Sequence, residues 1–151
     1  MKPHAQAPSR VLRCVIPSRL GEVDAVCQEL RAFLQANGRA ADFFAVELLA
    51  REALNNAILH GNRSQARKTT CLTLRLGRRW LRLQIADEGP GFDWRSVRRR
   101  ATDTDATHGR GLAIGALYAD RVGYNQRGNQ ITLWLDNRNS AKRHQHGNLH
   151  D

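Results

Sequence analysis

Residues 51–62 read "REALNNAILHGN", an amphipathic helix with unexpected residues on one side. Leu54, Ala57 and Ile58 are apolar at helical spacing, yet Glu52, Asn55, Asn56 and His60 stand among them. Glu52, Asn56 and His60 are four residues apart, so on a helix they share one face. A buried polar group without a partner costs roughly 1–3 kcal/mol. This face therefore meets either solvent or a ligand. A carboxylate and an amide oxygen one turn apart are hard donors that suit Mg²⁺, which fills its remaining positions with water and phosphate oxygens. Taken alone, the stretch fits a surface helix just as well, with two solvated amides and His60 near a helix C-terminus.

The flanking sequence supplies the layers around this helix. Residues 11–16, "VLRCVI", alternate Leu12, Cys14 and Ile16 onto one side, as a half-buried strand does. Val23, Val26, Leu30, Phe33 and Leu34 predict a helix over 22–36, closed by Asn37 and Gly38. The second helix starts near 40–42 and runs to about His60, with Gly61 and Asn62 at its C-terminal cap. "TTCLTLRL" and "WLRLQIA" alternate like strands and are joined by a link short enough for an antiparallel hairpin. A charged loop is expected over 95–108, a short helix from Arg110 to Asp120, and strands near 121–125 and 130–135. This order predicts an α+β fold: a two-layer sandwich with one mixed, mostly antiparallel sheet covered by helices.

Composition narrows the class. The 151 residues are 41% apolar and 25% charged, in the range of one ordinary globular domain. Cys14, Cys27 and Cys71 are too scattered for a disulfide framework, and Cys14 and Cys71 read as buried free thiols. No apolar run reaches the length of a membrane span, and the first ten residues lack a signal peptide's hydrophobic core, so a cytoplasmic protein is expected. With 24 Lys and Arg against 14 Asp and Glu, the formal charge is +10. The basic clusters do not interleave aromatics as a single-strand-binding platform would. The charge is therefore read as a solvated surface and a basic tail in preference to a nucleic-acid interface.

Two glycine motifs follow the helix. In "ADEGPGFD", residues 86–93, Asp87 closes an apolar strand and is followed by Gly89 and Gly91. A carboxylate there is placed to accept hydrogen bonds from an exocyclic amine, and glycines let backbone approach a flat ring. In "HGRGLAIG", residues 108–115, Gly109 and Gly111 flank Arg110 where a helix begins, a spot suited to phosphate oxygens. Separately, one could be an ordinary turn and the other an ordinary helix start.

In this order and spacing, the three motifs resemble the N, G1 and G2 boxes of the GHKL (Bergerat) ATP-binding fold shared by gyrase and histidine kinases. "EALNNAILHGN", "DEGPGFD" and "HGRGLAI" resemble most the anti-sigma-factor serine kinases of bacterial partner-switching systems. The resemblance spans about residues 10–136, leaving a flexible N-terminus over 1–9 and a basic disordered tail over 137–151. It implies ATP and Mg²⁺ as cofactors and Glu52 as general base. Asn56 then holds the metal, and Asp87 reads adenine in a pocket shaped by Gly89 and Gly91. Gly109, Arg110 and Gly111 wrap the phosphates at the end of a lid over about 94–108, while His60 and Thr132 support the pocket. The implied substrate is a serine of a small anti-sigma-factor antagonist. An alternative sigma factor is a second partner, and a homodimer the expected assembly. One departure stands out: Thr107 and His108 occupy the place where such kinases often carry an arginine. Arg110, or one of Arg98, Arg99 and Arg100, is left to serve instead.

Overall fold

The computed structural model describes residues 9–96 and 118–147. Strand β1 (Val11–Pro17) ends at its proline, and helix α1 (Val23–Ala36) follows a 3-10 turn at Leu20–Glu22. After the left-handed Gly38, a second 3-10 turn (Ala40–Asp42) leads into α2 (Phe43–Asn56). Strands β2 (Thr69–Leu76) and β3 (Trp80–Ala86) form the expected hairpin, and β4 (Arg121–Tyr124) and β5 (Gln130–Asp136) form the second. The sheet order is β1-β2-β3-β5-β4, with every neighbour antiparallel. The fold is thus α+β, and the sheet is antiparallel throughout the described residues.

Alternation along the strands decides which face is buried. Leu72, Leu74 and Leu76 of β2, Leu81, Leu83 and Ile85 of β3, and Leu133 and Leu135 of β5 all point into the core. Val26, Leu30 and Leu34 of α1 and Val46, Leu49 and Leu54 of α2 meet them there. Each such side chain contributes about 1.5–3 kcal/mol when fully buried. The same parity corrects one expectation about the thiols. Cys14 is buried and donates to Glu29 Oε2 at 2.8 Å, but Cys71 lies on the other face and is only half-buried. Burial, and then the Glu29 hydrogen bond, push the Cys14 thiol up to about 12.

Two further features differ from the sequence expectation. Helix α2 stops at Asn56, and Ala57–Gly61 form a π turn, closed by Asn62 N–H donating to Ala57 O at 2.8 Å. The C-terminal region is ordered well beyond β5. A 3-10 turn (Asn137–Asn139) leads into helix α3 (Ser140–Gly147). Polar anchors hold this helix. Arg143, 7% exposed, donates to Asp136 O at 2.9 Å and lies 3.3 Å from Asp120 and 3.5 Å from Asp42. Ser140 Oγ donates to Asp42 Oδ1 at 2.9 Å. With almost no apolar residues, the segment offers no hydrophobic period from which a helix could be read. Among the described residues no helix is long and apolar enough to cross a membrane.

Candidate functional site

The end of α2, the end of β3 and the β4–β5 hairpin line a cleft that opens to solvent. Ala53, Asn56 and Ala57 form its helical wall, while Ile85 and Ile131 supply apolar floor from adjacent strands. Phe92 and Tyr124 close one side, with ring centroids 5.2 Å apart in an edge-to-face arrangement. Asp87 is the carboxylate of the lining.

Asp87 lies one residue beyond β3, and its backbone is fixed from both sides. Its N–H donates to Asn129 O at 2.9 Å, and Asn129 Nδ2 donates to its carbonyl at 3.1 Å. Its Oδ1 accepts from Gly89 N–H at 2.7 Å. The carboxylate packs directly onto Gly61, where a Cβ would fall inside the Asp87 side chain. A Cβ on Gly89 would in turn collide with the Gly61 carbonyl. The π turn therefore has to end in a residue without a side chain. Gly91 has φ +80°, and a Cβ there would strike the Arg127 carbonyl of the β4–β5 turn. Glycines in the first loop thus serve a close approach to two neighbouring segments.

Asn62 is the residue that sequence reasoning undervalued. It is fully buried, and its Oδ1 accepts from Glu88 N–H at 2.8 Å. Its amide nitrogen lies within hydrogen-bond distance of Ser18 Oγ (2.7 Å), Thr69 O (2.9 Å) and Thr70 Oγ1 (3.2 Å). One side chain ties the π turn to the ends of β1 and β2 and to the loop carrying Asp87. A helix cap and a buried junction carry the same sequence signature, an Asn after a Gly, so only the packing separates them.

The remaining residues are distributed as follows. Asn56 lines the cleft, and Glu52, one turn earlier on α2, is half-buried and outside the lining. Among the described residues neither side chain has a hydrogen-bond or ion-pair partner. His60 is exposed and does not line the cleft. Thr132 pairs in register with Gln84 and accepts from its Nε2 at 3.1 Å. That places Thr132 on the sheet face away from the core, so it does not join Ile131 in the cleft. Gly109, Arg110 and Gly111 lie outside the described residues, as do Arg98, Arg99, Arg100, Thr107, His108 and most of the expected lid and the helix after it.

Chemically, the cleft offers a fixed carboxylate beside an apolar, aromatic-walled slot, with an amide at its mouth. That combination suits a flat heteroaromatic ring bearing an exocyclic amine, joined to a group that brings its own cation. Among the described residues no group of three or more His, Cys, Asp or Glu could hold a metal. A cation here would take one or two protein oxygens and leave the rest to ligand and water, as Mg²⁺ does. A family model described as a histidine kinase-like ATPase domain matches residues 16–135. No curated protein matches the chain.

Proposed function

The chain belongs to the histidine kinase-like ATPase family, and from that membership we propose that it is a Mg·ATP-dependent serine protein kinase and anti-sigma factor. In this reading it works in a bacterial partner-switching system in the cytoplasm and phosphorylates one serine of a small anti-sigma-factor antagonist. An alternative sigma factor is its other partner, bound by a homodimer of the kinase. The observation that supports this most is the meeting of Asp87 and Asn56 in one cleft, one from a strand end and one from a helix.

Each residue then has a task. Asp87 accepts from the adenine amine while Ile85 and Ile131 contact the ring. The Asn56 amide oxygen would hold Mg²⁺, which when bound would supply charge neutralisation for the transferred group. Glu52, one turn further into α2, takes the proton from the attacking serine hydroxyl. Positive charge at the transferred group falls to Arg110 or to Arg98, Arg99 or Arg100. A second reading, a nucleotide-binding switch without phosphoryl transfer, is favoured by the position of Glu52 outside the cleft lining.

The two readings separate in one experiment. Purified protein is incubated with γ-labelled ATP and the cognate antagonist. The kinase reading expects label on serine, and a Glu52→Ala variant that binds ATP normally but transfers about 100-fold more slowly or worse. Tight ATP binding with an unlabelled antagonist would leave only the switch.

A further inference from the structure

Strand alternation gives the sheet a second face, turned away from the apolar core that the helices share. It carries Arg13, Arg75, Arg82, Arg121, Trp80 and Trp134. Register places Arg75 opposite Arg82, Arg82 opposite Trp134, and Trp134 opposite Arg121. These four residues form one row across β2, β3, β5 and β4, about 14 Å long at about 4.8 Å per strand. They come from two hairpins, Arg75 and Arg82 seven residues apart and Arg121 and Trp134 thirteen apart, and strand register brings the pairs into line.

Charge on this face is unbalanced. The five strands contribute four arginines and a single acid, Asp136, which Arg138 and Arg79 already engage. Among the described residues none of Arg13, Arg75, Arg82 and Arg121 has a carboxylate partner, whereas Arg39, Arg51 and Arg143 do. Like charges directly opposite across two strands repel, so Arg75 and Arg82 are strained neighbours until an anion lies between them. Val11 extends the row onto β1 opposite Arg75, and Val15 lies on the same face four residues further along, opposite Cys71; the two are 41% and 52% exposed.

We infer that this face of the sheet docks an acidic polypeptide, a partner protein presenting carboxylates to Arg75, Arg82 and Arg121 and apolar side chains to Val11 and Val15. The indoles decide between this and a single-stranded nucleic acid. Arg121 lies over Trp134 at 5.1 Å from the ring centroid, and a Cβ on Gly123 would come within 3.1 Å of the same ring. Arg79 lies over Trp80 at 5.0 Å. Indoles already engaged by guanidinium groups offer little stacking surface to bases. Arginine and tryptophan beside an apolar border match the residues that dominate protein interfaces. A second copy of this chain fits poorly, because two-fold pairing of this face sets arginine rows against each other. The inference does not depend on the chemistry of the cleft, which lies at the edge of the opposite layer.

The test titrates a fluorescent random copolymer of glutamate and tyrosine into the full chain, followed by anisotropy, with labelled oligothymidylate as a parallel arm. The copolymer is expected to bind with an affinity that falls as salt rises. The double variant Arg75→Gln/Arg82→Gln should weaken it at least tenfold, and Arg19→Gln, at an exposed turn, less than twofold. Removing the cross-strand repulsion should leave the melting temperature of the double variant unchanged or higher, which separates lost binding from lost fold. Four results would overturn the inference. They are no copolymer binding, equal loss in Arg19→Gln, tighter binding of oligothymidylate through the same arginines, and a dimer that the double variant dissolves.

Discussion

Gly61 sets how closely Asp87 can stand to the end of α2, because a methyl group there would occupy the space of the carboxylate. Gly61→Ala is expected to displace Asp87 from Gly89 N–H and weaken nucleotide binding at least tenfold. A fluorescent ATP analogue reads the affinity, and a thermal melt shows whether the fold survives. At Cys14 the prediction concerns pH. Its thiol is held above the ordinary range by burial and by Glu29, so the folded state favours the protonated form. That contribution is complete below about pH 8.5 and is lost as pH rises toward the folded value. Urea midpoints should therefore fall above about pH 8.5, and less steeply in Cys14→Ala. At this scale the motifs and the family they resemble pointed to Asp87 and Asn56, and both line the cleft. The sequence could not show Gly61 beneath Asp87, since the two are 26 positions apart and meet only through the π turn. Thr132 stands on the expected strand, and register sends its side chain to Gln84 on the face away from the core.

Among the elements, α3 is the one held by charge. Arg143 reaches Asp42 at the start of α2, Asp120 just ahead of β4 and the carbonyl that ends β5. Burial pushes the Asp42 carboxyl up, but hydrogen bonds from Ser140 and Arg39 and the charges of Arg39 and Arg143 outweigh it and leave it below the usual range. Asp42 therefore adds stability that is present above about pH 3.9 and is lost as pH falls through its lower folded value. Arg143→Ala leaves buried carboxylate partly uncompensated, which costs about 3 kcal/mol. Denaturant titrations at neutral pH should show that loss, and a smaller one in acid, where an Asp42 carboxylate left without Arg143 can take up a proton. Strands β2 and β3 were legible because apolar alternation there is unbroken, and α1 because its apolar residues recur every three or four positions. Helix α3 was not, since its anchor is one arginine facing the distant Asp42 and Asp120 and the Asp136 carbonyl. The π turn at Ala57–Gly61 was hidden for a different reason: its residues continue the pattern of α2 and only the hydrogen bonding changes.

For the molecule as a whole, the antiparallel sheet separates two surfaces. Its core side carries the helices and, at the edge, the cleft built from α2, β3 and the β4–β5 hairpin. The other side carries the arginine row. Part of the net charge of +10 is gathered there: among the described residues, Arg13, Arg75, Arg82 and Arg121 share this face without a carboxylate partner. Composition reports the total but not the partition, because the row is assembled only by strand register. In the proposed function the cleft binds adenine nucleotide through Asp87 with a metal held at Asn56. The most direct test of that reading is calorimetric titration of ATP into wild type and Asp87→Asn, each with Mg²⁺ and with EDTA. Wild type is expected to bind ATP in a Mg²⁺-dependent way, and Asp87→Asn with an affinity about 10- to 100-fold lower, the loss of a hydrogen bond to a charged group. Equal affinity in the two proteins, or ATP binding indifferent to Mg²⁺, would contradict that reading.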